Sequence, residues 1–172
     1  MDATVIFVLQ VIMSVAFFAQ KVFILIDKKS GWLVGALSAL IGTVYFYSVH
    51  MYCFATLECG LTILMFYGYF TKETKNSTVE RIINIVTASC ITALAYWAFA
   101  GVMTVAEFVS SLSSMAGVYW LTHRKLKLGW LSLGISRILA AVVGYHANQW
   151  FFADFQLAST IVALAGWWQA KE

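Results

Sequence analysis

Glu58 and Arg137 are ionisable side chains set inside long apolar runs. A charge in hydrocarbon costs several kcal/mol unless it is paired or faces a water-filled cavity, so each marks a candidate functional position. Each sits about two turns into its own run. An acid and a base placed in this way either tie two segments together as an ion pair or grip one ligand. Gln156 adds an amide donor and acceptor without charge. Tyr67, Tyr145 and Trp97 supply rings that suit stacking on a flat heterocycle. The expected substrate-binding set is therefore Glu58, Arg137, Gln156, Tyr67, Tyr145 and Trp97. Asp154 and His146 lie near the ends of their runs and read as solvated. Trp32, Trp130, Tyr52, Trp150, Trp167 and Trp168 also stand near run ends, where an interfacial aromatic belt is the ordinary expectation.

Enzymatic chemistry has little to build on. There is no Gly-rich phosphate loop, no metal-ligand cluster and no nucleophile–base pair in the sequence, so no catalytic residue, metal or cofactor is expected. Cys53, Cys59 and Cys90 all fall in apolar segments without metal or redox spacing and read as buried free thiols. The expected partners are a small-molecule substrate and the lipid bilayer, with no nucleic acid.

Composition dictates the elements that must carry these residues. Of 172 residues, 62% are hydrophobic, 16% aromatic and 11% charged, with a mean hydropathy of +0.82. That much apolar surface does not fit inside one water-soluble core, so the expected solvent is lipid. Polar punctuation separates seven apolar runs, at about 4–26, 31–49, 51–70, 82–103, 105–122, 129–147 and 150–168. A polar linker, about 71–81, separates the third from the fourth. Runs of this length without period-two alternation read as transmembrane helices rather than barrel strands. The chain has no proline, so bends must come from glycine or inserted polar groups. The N-terminus has no basic stretch or small-residue cleavage site, and the first run is expected to be retained as a span.

Charge then orients the spans. With seven alternating helices, Lys28, Lys29, Lys72, Lys75, Arg81, Arg124, Lys125, Lys127 and Lys171 share one side and the other side has no Lys or Arg. Lys21 is expected to snorkel toward the first basic loop, leaving Arg137 as the one basic residue within a span. The N-terminus is therefore expected outside and the C-terminus in the cytoplasm, in a bacterial inner membrane.

A shift of 98 positions lays the chain on itself. It carries Gly31-Trp32-Leu33 onto Gly129-Trp130-Leu131, Tyr47 onto Tyr145, Ala55 onto Ala153, Thr62-Ile63 onto Thr160-Ile161 and Gly68 onto Gly166, while Glu58 falls on Gln156. This reads as an internal duplication. The fold class expected is an all-α integral membrane protein with seven transmembrane helices. Two parallel three-helix repeats, about 4–70 and 105–168, are joined by a linker helix at about 82–103, all within one membrane domain. Parallel repeats related by an axis along the membrane normal are a transporter architecture with substrate bound between the halves.

The stretch Tyr52-Cys-Phe-Ala-Thr-Leu-Glu58, followed by Tyr67-Gly68-Tyr69, and the run Arg124-Lys125 then Gly129-Trp130 with an apolar helix ending near Trp150, resemble the PnuC-type vitamin transporters, typified by nicotinamide riboside transporters. The resemblance covers the chain from about residue 20 to the end. It implies a three-plus-one-plus-three fold, a homotrimer, and passive equilibration of a vitamin precursor that cytoplasmic phosphorylation then traps. The chain departs from that family at Glu58, where members carry Gln, and at Leu133 and Arg137, where they carry Trp and Asn. Those are binding positions in the family, so a changed ligand is expected: zwitterionic, anionic, or a thiamine- or riboflavin-like molecule. A retinal protein is excluded because the last span holds no lysine. Sugar transporters of similar topology rely on proline in each triplet. The alternative is a non-transporting scaffold or regulatory subunit of the same fold.

Overall fold

Five of the helix ends share one device. The backbone N–H two positions past the helix returns to the carbonyl three residues earlier, and the next returns five residues back, as in Asp27 to Ile24 and Lys28 to Phe23. This Schellman geometry requires a left-handed residue, supplied by Asp27, His50, Gly101, Arg124 and Asn148, with φ between 52° and 70°. At the other ends, Asp2 Oδ1 accepts from the Thr4 N–H, and Thr104 with Glu107 forms a capping box that starts the fifth helix.

The computed structural model describes residues 2–70 and 77–170. Within them are seven α-helices: α1 (Ala3–Leu25), α2 (Ser30–Ser48), α3 (Tyr52–Phe70), α4 (Ser77–Phe99), α5 (Val105–Thr122), α6 (Leu126–His146) and α7 (Trp150–Gln169). The all-helical expectation is met. α4 begins five residues before the expected run and stops four residues short of its expected end. Its first turn is polar but carries Glu80, which suits the positive end of the helix dipole, and Gly101 ends it. α6 also begins early, at Leu126. Lys72, Lys75 and Lys171, counted in the charge argument, lie outside the described residues.

Five helices are long and apolar enough to cross a membrane: α1, α2, α3, α4 and α6. α5 and α7 have similar length but carry more polar side chains, and much of that polarity is turned inward: Ser110, Ser111 and Ser114 on α5, Gln156 and Ser159 on α7, are all buried. The apolar residues instead cover the outside. On α6, Leu128, Leu131, Ile135, Ile138 and Val142 form an exposed stripe at helical spacing.

α1, α2, α3, α5, α6 and α7 pack each on the next and α7 closes on α1, giving a ring of six; α4 packs on α3 and α5 from outside. Contacts recur at a shift of 98. Trp32 lies on Gly68, and Trp130 on Gly166. The Tyr47–Tyr52 ring pair, 5.5 Å apart, has its counterpart in Tyr145–Trp150 at 5.3 Å. Thr62 Oγ1 donates to the Glu58 carbonyl, and Thr160 Oγ1 to that of Gln156.

Candidate functional site

Glu58 enters the interior from the second turn of α3. Its side chain is 3% exposed, and its Cγ crosses the face of α2 at Gly42. A Cβ added there would lie 3.3 Å from Glu58 Cγ and 3.2 Å from Phe17 Cζ of α1, so the glycine makes the room. Glu58 Oε2 is buried without a hydrogen-bond partner.

Arg137 enters from the middle of α6, in the other half of the ring. Nη1 donates to Gln156 Oε1 of α7 at 3.2 Å and Nη2 to Ser114 Oγ of α5 at 2.7 Å. Nε is buried without a partner. The sequence leaves open whether Glu58 and Arg137 meet as an ion pair. They do not: the hydrogen bonds of Arg137 go to Gln156 and Ser114, and the two charges act on each other only through space.

A third ionisable group joins them in the interior, one that the sequence reading sends elsewhere. Lys21 does not snorkel to the basic loop; it is 2% exposed, and Nζ donates to the Phe17 carbonyl at 2.9 Å, lying 5.5 Å from the Phe17 ring centroid. A helix tilts its Cα–Cβ bonds toward its own N-terminus, so a lysine in the last turns of α1 points back into the bundle. The charges of both Arg137 and Glu58 bear on it. Side-chain direction, rather than distance from the loop, is the signal that predicts this.

At the end that carries the α1–α2 and α5–α6 loops, a vestibule of about 870 Å³ opens between the halves. Trp32 and Trp130 both line it, as do Tyr67, Gly68, Leu121 and Gly166. The two tryptophans are not belt residues. They are 8% and 4% exposed, because each indole lies in a slot that a glycine leaves open on the neighbouring helix. Tyr52, Trp150, Trp167 and Trp168 remain exposed near helix ends. Arg137 lies seven residues beyond Trp130, about 10 Å deeper at the helical rise. Glu58 lies nine residues before Tyr67, about 13 Å deeper.

The opposite end is closed. Gln149, between α6 and α7, accepts through Oε1 from Gln10 Nε2 of α1 at 2.9 Å and from the Tyr45 hydroxyl of α2. Beneath this latch Phe46 of α2 contacts Phe54 of α3 and Phe152 of α7, with centroids 5.3 Å apart in each pair.

The other expected site residues are scattered. Tyr67 lines the vestibule, its ring 6.4 Å from that of His123. Tyr145 stands at the closed end, where its hydroxyl donates to Asp154 Oδ1 at 2.5 Å. Trp97 is half-buried on α4, against Tyr96 and away from the vestibule lining. Of the three cysteines, Cys53 is buried, Cys90 half-buried and Cys59 exposed, which corrects the expectation that all three are buried. Among the described residues no three His, Cys, Asp or Glu side chains converge on a metal site.

No protein-family model, curated protein or solved structure matches this chain. The PnuC-type resemblance therefore rests on the residues quoted for it.

Proposed function

We propose that the chain is a membrane transporter that moves a small vitamin-like or nucleoside-like molecule by facilitated diffusion, with substrate bound between two parallel three-helix repeats. One observation carries this reading: buried charged groups from opposite halves of the ring, Glu58 and Arg137, keep unpartnered atoms behind a vestibule that both halves line. Such groups are costly in a scaffold and useful in a path that a polar ligand crosses. The recurring Trp–Gly and ring–ring contacts support the duplication, and α4 is the odd helix that returns the second triplet to the same orientation. The basic loops at the vestibule end support an inward-facing arrangement with the C-terminus in the cytoplasm. The closed end, held by Gln10, Tyr45 and Gln149, is then the outer gate. Homotrimer assembly follows from the resemblance alone.

A scaffold of the same fold is the second reading. It is favoured by the fact that Arg137 makes both of its hydrogen bonds within its own half. Purified protein in proteoliposomes, preloaded with members of a vitamin and nucleoside panel, separates the two by counterflow. Exchange of at least one panel member is expected, with specificity changed in the Glu58→Gln/Arg137→Asn double variant. Exchange that is indifferent to both substitutions would remove these residues from the site, and absence of exchange for every member would favour the scaffold.

A further inference from the structure

The two halves of the chain differ most in charge where α2 and α6 begin. At a shift of 98, Ile26-Asp27-Lys28-Lys29-Ser30 falls on Arg124-Lys125-Leu126-Lys127-Leu128, so one acid and two lysines (net +1) become three bases (net +3). In the first half Lys29 Nζ lies 4.6 Å from the centre of the Tyr69 ring. The counterparts of that pair, Lys127 and Trp167, line a groove of about 450 Å³ on the outside of α6 and α7, together with Arg124, Lys125, Leu128 and Leu131. Among the described residues of its lining none is acidic. Arg124 meets one acid from across the vestibule, Asp27 at 3.8 Å, but both side chains are largely exposed and water screens the pair.

α6 itself starts in this groove, at Leu126. It has no side-chain cap and no acid in its first turn, so the positive end of its dipole adds to the lysines beside it. Cations at a helix N-terminus are unfavourable, and an anion seated there relieves them. The apolar wall of the groove then leads away from the charges. Leu128 and Leu131 open the exposed stripe that continues through Ile135 and Ile138 to Val142, about 21 Å at the helical rise. That exceeds the roughly 15 Å of hydrocarbon in one leaflet.

We propose that this groove binds an anionic glycerophospholipid, with the headgroup phosphate between Lys125 and Lys127 at the start of α6 and one acyl chain along the α6 stripe. The inference goes beyond the transport reading and needs only that the helices lie in a bilayer. Basic pockets between spanning helices are suited to anionic headgroups, and the half-exposed ring of Trp167 suits the interfacial depth. A zwitterionic lipid offers the same phosphate but brings its own cation into a cluster of three bases, which selects against it. A free phosphate leaves Leu128, Leu131 and Trp167 uncovered.

The test titrates the purified full chain in a neutral detergent and counts bound ligand by native mass spectrometry. The probes are dioleoyl phosphatidylglycerol, dioleoyl phosphatidylcholine and glycerol 3-phosphate. Phosphatidylglycerol is expected to bind about tenfold more tightly than phosphatidylcholine, and glycerol 3-phosphate not to displace it at equal concentration. Lys125→Gln/Lys127→Gln is expected to weaken phosphatidylglycerol by about twentyfold and to leave phosphatidylcholine unchanged. Lys28→Gln/Lys29→Gln removes the same formal charge from the same end of the molecule and is expected to change binding by less than about twofold. The proposal is overturned if phosphatidylcholine binds as tightly, if glycerol 3-phosphate competes equally, or if the two lysine pairs cost the same, which is the result of general surface charge. Should the α6 pair lower the melting temperature, the ranking of the three probes on the unaltered chain still decides. None of these outcomes involves flux, so the transport reading stands or falls separately.

Discussion

Glycine and tryptophan act as a matched pair in this protein. A Cβ on Gly68 would overlap the indole of Trp32, and one on Gly166 would overlap that of Trp130. Gly68→Ala and Gly166→Ala are therefore each expected to destabilise the fold by about 1–3 kcal/mol through overpacking. Thermal unfolding in detergent checks this, with losses of similar size expected in the two variants. Glu58, Arg137 and Gln156 were legible as residues because polar groups stand out in apolar runs. Their partners were not. Ser114 is one serine among four on α5, and only the packing of α5 on α6 brings it to Arg137. Lys21 departs from the snorkelling expectation because the direction of its Cα–Cβ bond, and not its distance from the loop, decides where the side chain goes.

At the scale of the helix, length and apolarity fixed the elements well, and the chemistry of their ends fixed them less well. α5 begins at the expected Val105 because Thr104 and Glu107 are a recognisable capping box. α4 extends before its apolar run because a first helical turn tolerates the polar Thr78, Glu80 and Arg81. The junction of α6 and α7 carries the latch. Tyr45→Phe together with Gln149→Ala removes every hydrogen bond seen there between α2 and this junction. In a Cys59→Ser/Cys90→Ser background, the double change is expected to raise labelling of Cys53, which is 3% exposed near the start of α3, by a membrane-impermeant maleimide. Unchanged labelling would show that the aromatic packing of Phe46, Phe54 and Phe152 closes this end alone.

For the molecule as a whole, the 98-residue shift was visible in rare residue types, and the recurring contacts follow it. What sequence did not reveal is how the ring closes, because α1 meets α7 through ring pairs such as Phe7 with Phe151 and Phe18 with Phe155, which apolar composition does not single out. The proposed orientation predicts that a reporter active only in the cytoplasm gives signal when fused after residue 172 and none at the N-terminus. A periplasmic signal at the C-terminus would invert the assignment of inner and outer gate.

The left-handed helix ends also offer a handle for experiment. His50 and Asn148 occupy equivalent junctions with φ of 61° and 58°, a conformation in which a side chain is tolerated at a cost and glycine is at ease. Asn accepts this region more readily than His. His50→Gly is thus expected to stabilise the fold and Asn148→Gly to stabilise it less, the two together by about 1–2 kcal/mol, read as a higher melting temperature. The His50→Gly variant loses the 2.8 Å contact of His50 Nδ1 with the Tyr52 hydroxyl, which is solvent-exposed and so offsets little of this gain. Junctions that evolution left mildly strained are in this way the places where a purified preparation can be made to last longer, without touching a charge in the interior.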